Sequence, residues 1–379
     1  MNLRHVLTLG ITALAVTLAG CSGSTSGPAT MNVHLVDAPA DYTAITLNVQ
    51  SVQISTDGSG WLTLGTPNKM VNLLSLTGGV EELLVNGASL PAGHYGQMRL
   101  VLGDGNTVTL APGSTPLPLK VPSGMQTGVK MPVDFDVQPG TTKDVFIDFD
   151  AHRSIFLHGA GASGQYILRP VVRAVDKIVT GSIAGTLTDA ATTAGIPGAT
   201  VMAEVVDGAG HVTVVNSAVT GADGSYSIGL LPIDQTYYVV SQPVSGSSVY
   251  APKASGGLTL TAAAPIASFS AAFATTSQVG SVLATVTPVA ADAQDDRVYA
   301  LASVLAGTTP MTLIVRGENA TVAGASETAE LDDMPAGSYQ LFVERSSTDT
   351  SGNVTVTDGA AVPVVVTSGG TSNASLTAP

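Results

Sequence analysis

Residues 133–150 read VDFDVQPGTTKDVFIDFD, and they decide the fold class. Val133, Phe135 and Val137 alternate with Asp134 and Asp136, while Val145, Ile147 and Phe149 alternate with Asp144, Asp148 and Asp150. A period of two marks a strand covered on one face, because successive side chains point to opposite sides of a sheet. Pro139-Gly140 between the runs supplies a turn. The pattern predicts a hairpin, in which any register that puts the apolar set on one face gathers five carboxylates on the other. Like charges so placed repel. Lys130, Lys143 and Arg153 can offset them, or a calcium ion can, held through oxygen by Asp134, Asp136, Asp148 and Asp150. The plainer reading of the same residues is a solvated face of an acidic protein.

Composition extends the β reading to the whole chain. Only 11% of the 379 residues are charged, 42 are glycine and 21 proline, and Val, Thr, Ala and Ser fill much of the remainder. That mix disfavours solvated helices and favours short strands and turns, so the expected class is all-β. The run 289–306, rich in alanine, reads as strand for the same reason. A formal charge of −14 repels phosphate backbones, which excludes nucleic acid as a partner. One cysteine excludes an internal disulfide.

That cysteine, Cys21, ends an unusual start. Residues 1–5 are short and basic, and Val6 to Ala19 form an apolar run of 14 residues. A membrane span needs about 20, so the run fits the hydrophobic region of an export signal instead. Leu18-Ala19-Gly20-Cys21 resembles the lipobox of bacterial lipoproteins, which implies cleavage after Gly20 and acylation of Cys21. Ser22 in place of an Asp implies, by the same resemblance, sorting to the outer membrane. The tract 22–30, SGSTSGPAT, reads as a flexible tether.

Three β units are expected behind the tether: residues 1–20 as signal, 21–30 as acylated Cys and tether, then 31–178, 179–275 and 276–379. In the first unit the ordered blocks LVDAPADYTAITLNVQSVQI, LPAGHYGQMRLVL, IDFDAHRSI and YILRPVVRAVD resemble the family of bacterial lipoproteins known as the domain of unknown function 4382, over about 32–177. In the second, GSIAGTLTD, GIPGATVMAEVVD and VTGADGSYSIGLLP resemble carboxypeptidase regulatory-like modules. These are small transthyretin-like sandwiches grouped with carbohydrate-binding-like folds. Here Ile233 to Thr236 replace the usual glycine before the last tyrosine strand. The third unit repeats one fragment of the first, MPAGSY (334–339) for LPAGHY (90–95).

The expected architecture is therefore an N-terminal β-sandwich-like domain followed by two small Ig/transthyretin-like sandwiches. The carbohydrate resemblance points to Tyr226, Tyr237 and Tyr238 as ring platforms, although consecutive strand residues face opposite sides, so one of Tyr237 and Tyr238 should point inward. Trp61 reads as a cap on the core. No Gly-x-Ser-x-Gly elbow occurs. The expected role is a membrane-anchored, extracytoplasmic envelope lipoprotein, non-catalytic, with a structural or binding task and a carbohydrate or envelope protein as partner. The alternatives are a calcium-dependent adhesion stalk and a hydrolase of envelope polymers; no cofactor other than calcium is implied.

Overall fold

The computed structural model describes residues 28–38, 42–76, 80–110, 113–122, 128–158, 165–168, 170, 172–176, 180–290, 294–323, 326–348 and 354–379. Almost all of its regular structure is strand, the exceptions being single turns of helix at Leu73–Leu76 and Ala151–Ser154. Among the described residues no helix is long and apolar enough to cross a membrane.

The first unit is a sandwich of two sheets. One places Ala29–Ala38 between Glu82–Leu90 and Thr142–Asp150, with Val172–Asp176 at the far edge. The other is built on Ala44–Ser55, paired with Gly93–Leu102, which pairs in turn with Val129–Val137. Alternation makes the core: Met31, Val33 and Leu35 from one sheet meet Ile45, Leu47 and Val49 from the other, all with no exposure. In Ala44–Ser55 the buried parity then switches to Val52 and Ile54. The register against Gly93–Leu102 shifts between Val49 and Ser51, and such a bulge moves side chains to the other face.

The hairpin expected at 133–150 does not form. Val129–Val137 and Thr142–Asp150 lie in different sheets, joined by the turn at Pro139-Gly140, where Gly140 adopts φ +69. The reason is a distant competitor. Ala29–Ala38 takes the hydrogen-bonding edge of Thr142–Asp150 in parallel, Val33 opposite Val145 and Leu35 opposite Ile147. The two runs therefore face each other through side chains, with Val133, Phe135 and Val137 packing in the same core as Val145, Ile147 and Phe149.

The second unit sets Thr180–Asp189 and Ser225–Pro232 against a sheet containing Thr200–Val206, Val212–Val219 and Gln235–Ser241. Its core holds Ile183, Leu187, Val201, Ile228, Tyr237 and Phe273. Two short strands, Ile266–Ser268 and Ala271–Phe273, run parallel to Thr180–Asp189. They come so close that a Cβ on Gly185 would lie 1.8 Å from the Phe269 carbonyl oxygen. In the turn before Gln235–Ser241, Asp234 takes the left-handed conformation at φ +60, one that Asp tolerates better than most residues.

The third unit pairs Val279–Thr287 with Ser326–Pro335 and Thr371–Thr377. Opposite lies a sheet of Gln294–Ala306, Thr309–Asn319, Gly337–Thr348, Val354–Asp358 and Val362–Val366. Gln294–Ala306 is thus a strand despite its alanines. A parallel bridge from Ala254 to Ala306 joins this sheet to that of the second unit, giving ten strands in continuity. Met202, Val214 and Val240 of the second unit accordingly pack in one cluster with Val298, Leu313 and Leu341 of the third.

Candidate functional site

Cys21 lies outside the described residues. The four aspartates proposed for calcium do not converge. Asp134 and Asp136 project from the outer face of one sheet, largely exposed, on either side of His94, whose Nδ1 lies 3.3 Å from Asp136 Oδ1 and whose Nε2 lies 3.8 Å from Asp134 Oδ1. Asp148 belongs to the opposite sheet and is buried against the second unit, where Asn216 Nδ2 donates to its Oδ2 at 3.2 Å. Asp150 ends that same strand. Among the described residues no three His, Cys, Asp or Glu side chains are grouped to hold a metal. The common cause is the sandwich: strands that share a core from opposite sides turn their polar faces away from each other.

Of the tyrosines suggested as ring platforms, Tyr237 turns inward and Tyr238 to the other side, as strand alternation requires, and Tyr226 is buried too. Tyr237 has no exposure and donates its hydroxyl to the Pro232 carbonyl at 2.7 Å. Tyr226 is buried and donates to the Phe269 carbonyl at 2.6 Å, and burial raises the pKa of its phenol well above the ordinary value. Neither ring can serve as an open platform. Tyr238, on the other side of its strand, is half-buried against the third unit.

Trp61 is not a core cap. It stands half-buried outside the first unit's core, with the Arg99 guanidinium 4.1 Å and the Lys130 ammonium 5.9 Å from its ring. Cross-strand register builds this cluster, since Gln53 lies opposite Arg99, which lies opposite Lys130. Arg99 Nε donates to Gln53 Oε1 at 2.7 Å, and Gln53 Nε2 donates to Thr63 Oγ1 at 3.2 Å. The arrangement is a cation–aromatic layer over a polar ladder, which holds the guanidinium over the ring.

The densest chemistry missed by sequence reasoning lies where the second and third units meet. Glu204, on Thr200–Val206, has no exposure, and its Oε2 accepts from the Ile314 amide of the third unit at 3.1 Å. Burial drives its carboxyl well above the ordinary 4.5, against the smaller lowering effect of that hydrogen bond. Nearby, a cavity of ≈ 210 Å³ is lined from both units. The His211 ring and the Asp358 carboxyl meet through Nε2 and Oδ2 across the same junction. Within the third unit, Arg345 clasps Asp296 through Nε at 2.7 Å and Nη2 at 2.6 Å, both side chains being almost wholly buried. Beside them Glu327 accepts from the Ala290 amide at 2.7 Å, and burial, with the Asp296 charge adding to it, pushes its carboxyl up to about 7.

Residues 28–170 match the family model described as a domain of unknown function, DUF4382. The DUF4382 match takes in the sandwich of the first unit as far as Gln165–Leu168, close to the range that the ordered sequence blocks suggested. No curated protein matches the chain. Among solved structures it is similar to the Bacillus anthracis TIE protein, at 11% identity over 92% of this chain and 50% of that one, with a TM-score of 0.20. It is similar also to a streptococcal ancillary pilin (10% identity, 91% and 99% coverage, TM-score 0.21). A third is the shaft pilin spaA from Lactobacillus rhamnosus GG (12% identity, 65% and 98% coverage, TM-score 0.20). The chain spans about half the length of the TIE protein. These TM-scores lie below the level of a shared fold.

Proposed function

We propose that this chain is an envelope lipoprotein, held at the outer membrane through an acylated Cys21, whose three β units act as one non-catalytic structural and binding arm on the extracytoplasmic side. What supports the arm is that polar contacts, buried or half-buried, cross every junction. Asn216 of the second unit reaches Asp148 of the first, Asn319 of the third donates to the Ile155 carbonyl of the first at 3.1 Å, and Glu204 of the second holds Ile314 of the third. Units that merely follow one another on a string need no such bonds, because water satisfies exposed polar groups equally well. The partner in this reading is a glycan or another envelope protein.

Calorimetry of the purified chain tests the arm: one cooperative transition is expected, and three separable transitions would overturn it. Labelling with palmitate tests the anchor. Cys21→Ala should abolish the label and release the protein from the membrane fraction, and retention of both would sink that part of the proposal.

A further inference from the structure

Glu204 stands at the junction of the second and third units without a partner for its charge. It lies in Thr200–Val206 beside Met202 and Val206, which pack into the apolar cluster shared with the third unit. Its neighbours across the sheet are Val214 and Tyr238. The facing strand Thr309–Asn319 lends the Ile314 amide to Oε2, and the charged residues of that strand, Arg316 and Glu318, bond each other. Oε1 is enclosed and has no hydrogen-bond partner among the described residues.

Burying an unpaired charge costs far more than burying a neutral polar group, so this carboxyl occupies the junction in its protonated form. Burial alone raises its pKa, and no neighbouring charge contributes. The enclosure exists only while the two units are docked. Val201 and Ala203 point into the second unit's own core, which turns Glu204 to the outside of that unit, where the third unit covers it. Separated from the third unit, it would face water and ionise near the ordinary 4.5. A group whose pKa is higher in the docked state takes up a proton on docking, so the stability it lends is whole below pH 4.5 and is lost as pH rises through the docked value. The other titratable set at the junction is His211 with Asp358, flanked by Asp207 on its own turn and by Glu344 opposite Asp358.

We propose that the docking of the second unit on the third is proton-coupled through Glu204: the joint is tight in mild acid and eases as the pH rises, while the first unit keeps its own stability. The inference rests on the docked arm of the proposed function and is independent of the lipid anchor.

Hydrogen exchange of the purified chain, resolved by residue between pH 5 and 8 without denaturant, tests it. The Ile314 amide reports opening of the joint, and the Val33 amide, on a strand paired on both sides, reports opening of the first unit. With the intrinsic pH dependence of exchange removed, protection at Ile314 should fall by up to about tenfold per pH unit, and protection at Val33 should stay level. Glu204→Gln should make Ile314 level as well, and His211→Asn should leave its slope in place. Level protection at Ile314 in the parent, a fall matched at Val33, or a slope kept by Glu204→Gln or removed by His211→Asn would overturn the proposal. The arm itself stands or falls separately, on its calorimetric transitions.

Discussion

Replacing Glu204 by glutamine should make the protein more stable at neutral pH, and the amount can be worked from its surroundings. The side chain has no exposure and one hydrogen bond, from the Ile314 amide to Oε2. Its pKa in the fold lies well above the ordinary 4.5, so the folded state keeps a proton that the unfolded chain gives up. Stability from this group is therefore complete below pH 4.5 and is lost as pH rises from there through the folded pKa. Each pH unit in that window removes up to about 1.4 kcal/mol, which bounds the loss by pH 7 at about 3.4 kcal/mol. Glutamine keeps the acceptor for Ile314 and cannot ionise. Urea unfolding of both proteins at intervals from pH 4.5 to 8 should show curves that nearly coincide at the acid end and diverge toward neutrality, the variant higher. Glu327, which accepts from the Ala290 amide and shares no hydrogen-bond partner with Glu204, should cancel in the difference. A difference that is flat with pH, or a variant less stable at pH 7 than the parent, would refute the reasoning.

Three further perturbations probe other features. Tyr237→Phe leaves the Pro232 carbonyl without its donor and should cost about 1–3 kcal/mol in urea unfolding, with no change in the far-ultraviolet spectrum. Gly185→Ala should cost about 3 kcal/mol or more, since its methyl would occupy the space of the Phe269 carbonyl, and hydrogen exchange should locate the loosening at residues 265–273. Asp134→Asn, at an exposed carboxylate, should change stability by less than about 0.5 kcal/mol, and adding calcium or a chelator should not move the melting temperature of either protein. A calcium shift that vanished in the variant would revive a cation site there.

The strands were legible because period-two alternation is a local property, read correctly in Val133–Val137 and Val145–Phe149. What residues 133–150 could not reveal is which neighbour supplies the hydrogen bonds. A hairpin and two strands facing across a sandwich carry the same alternation and the same Pro-Gly turn, and the deciding strand, Ala29–Ala38, lies more than a hundred residues away. The shared fragments LPAGHY and MPAGSY carried more than a turn. Tyr95 donates to the Pro91 carbonyl at 2.9 Å and Tyr339 to the Pro335 carbonyl at 2.7 Å, and Tyr237 repeats the device with Pro232. One pin, proline carbonyl to tyrosine hydroxyl, thus recurs in all three units, which explains why these tyrosines are buried. Glu204 gave no signal, because it sits in an ordinary strand of the second unit and is enclosed only when the third unit arrives.

In each unit the opening strand runs parallel to a late one: Ala29–Ala38 beside Thr142–Asp150, Thr180–Asp189 beside Ile266–Ser268 and Ala271–Phe273, and Val279–Thr287 beside Thr371–Thr377. Tension applied between the start of the first of these strands and the end of the second would slide the pair lengthwise and would not peel it open. In the third unit all seven residue pairings from Ser281–Thr371 to Thr287–Thr377 would then be strained together, and none could fail before its neighbours. An antiparallel terminal pair pulled from its open end would unzip one bond at a time. The chain direction of these strands therefore gives each unit a mechanical grain, strongest along the line from the start of its opening strand to the end of its late one.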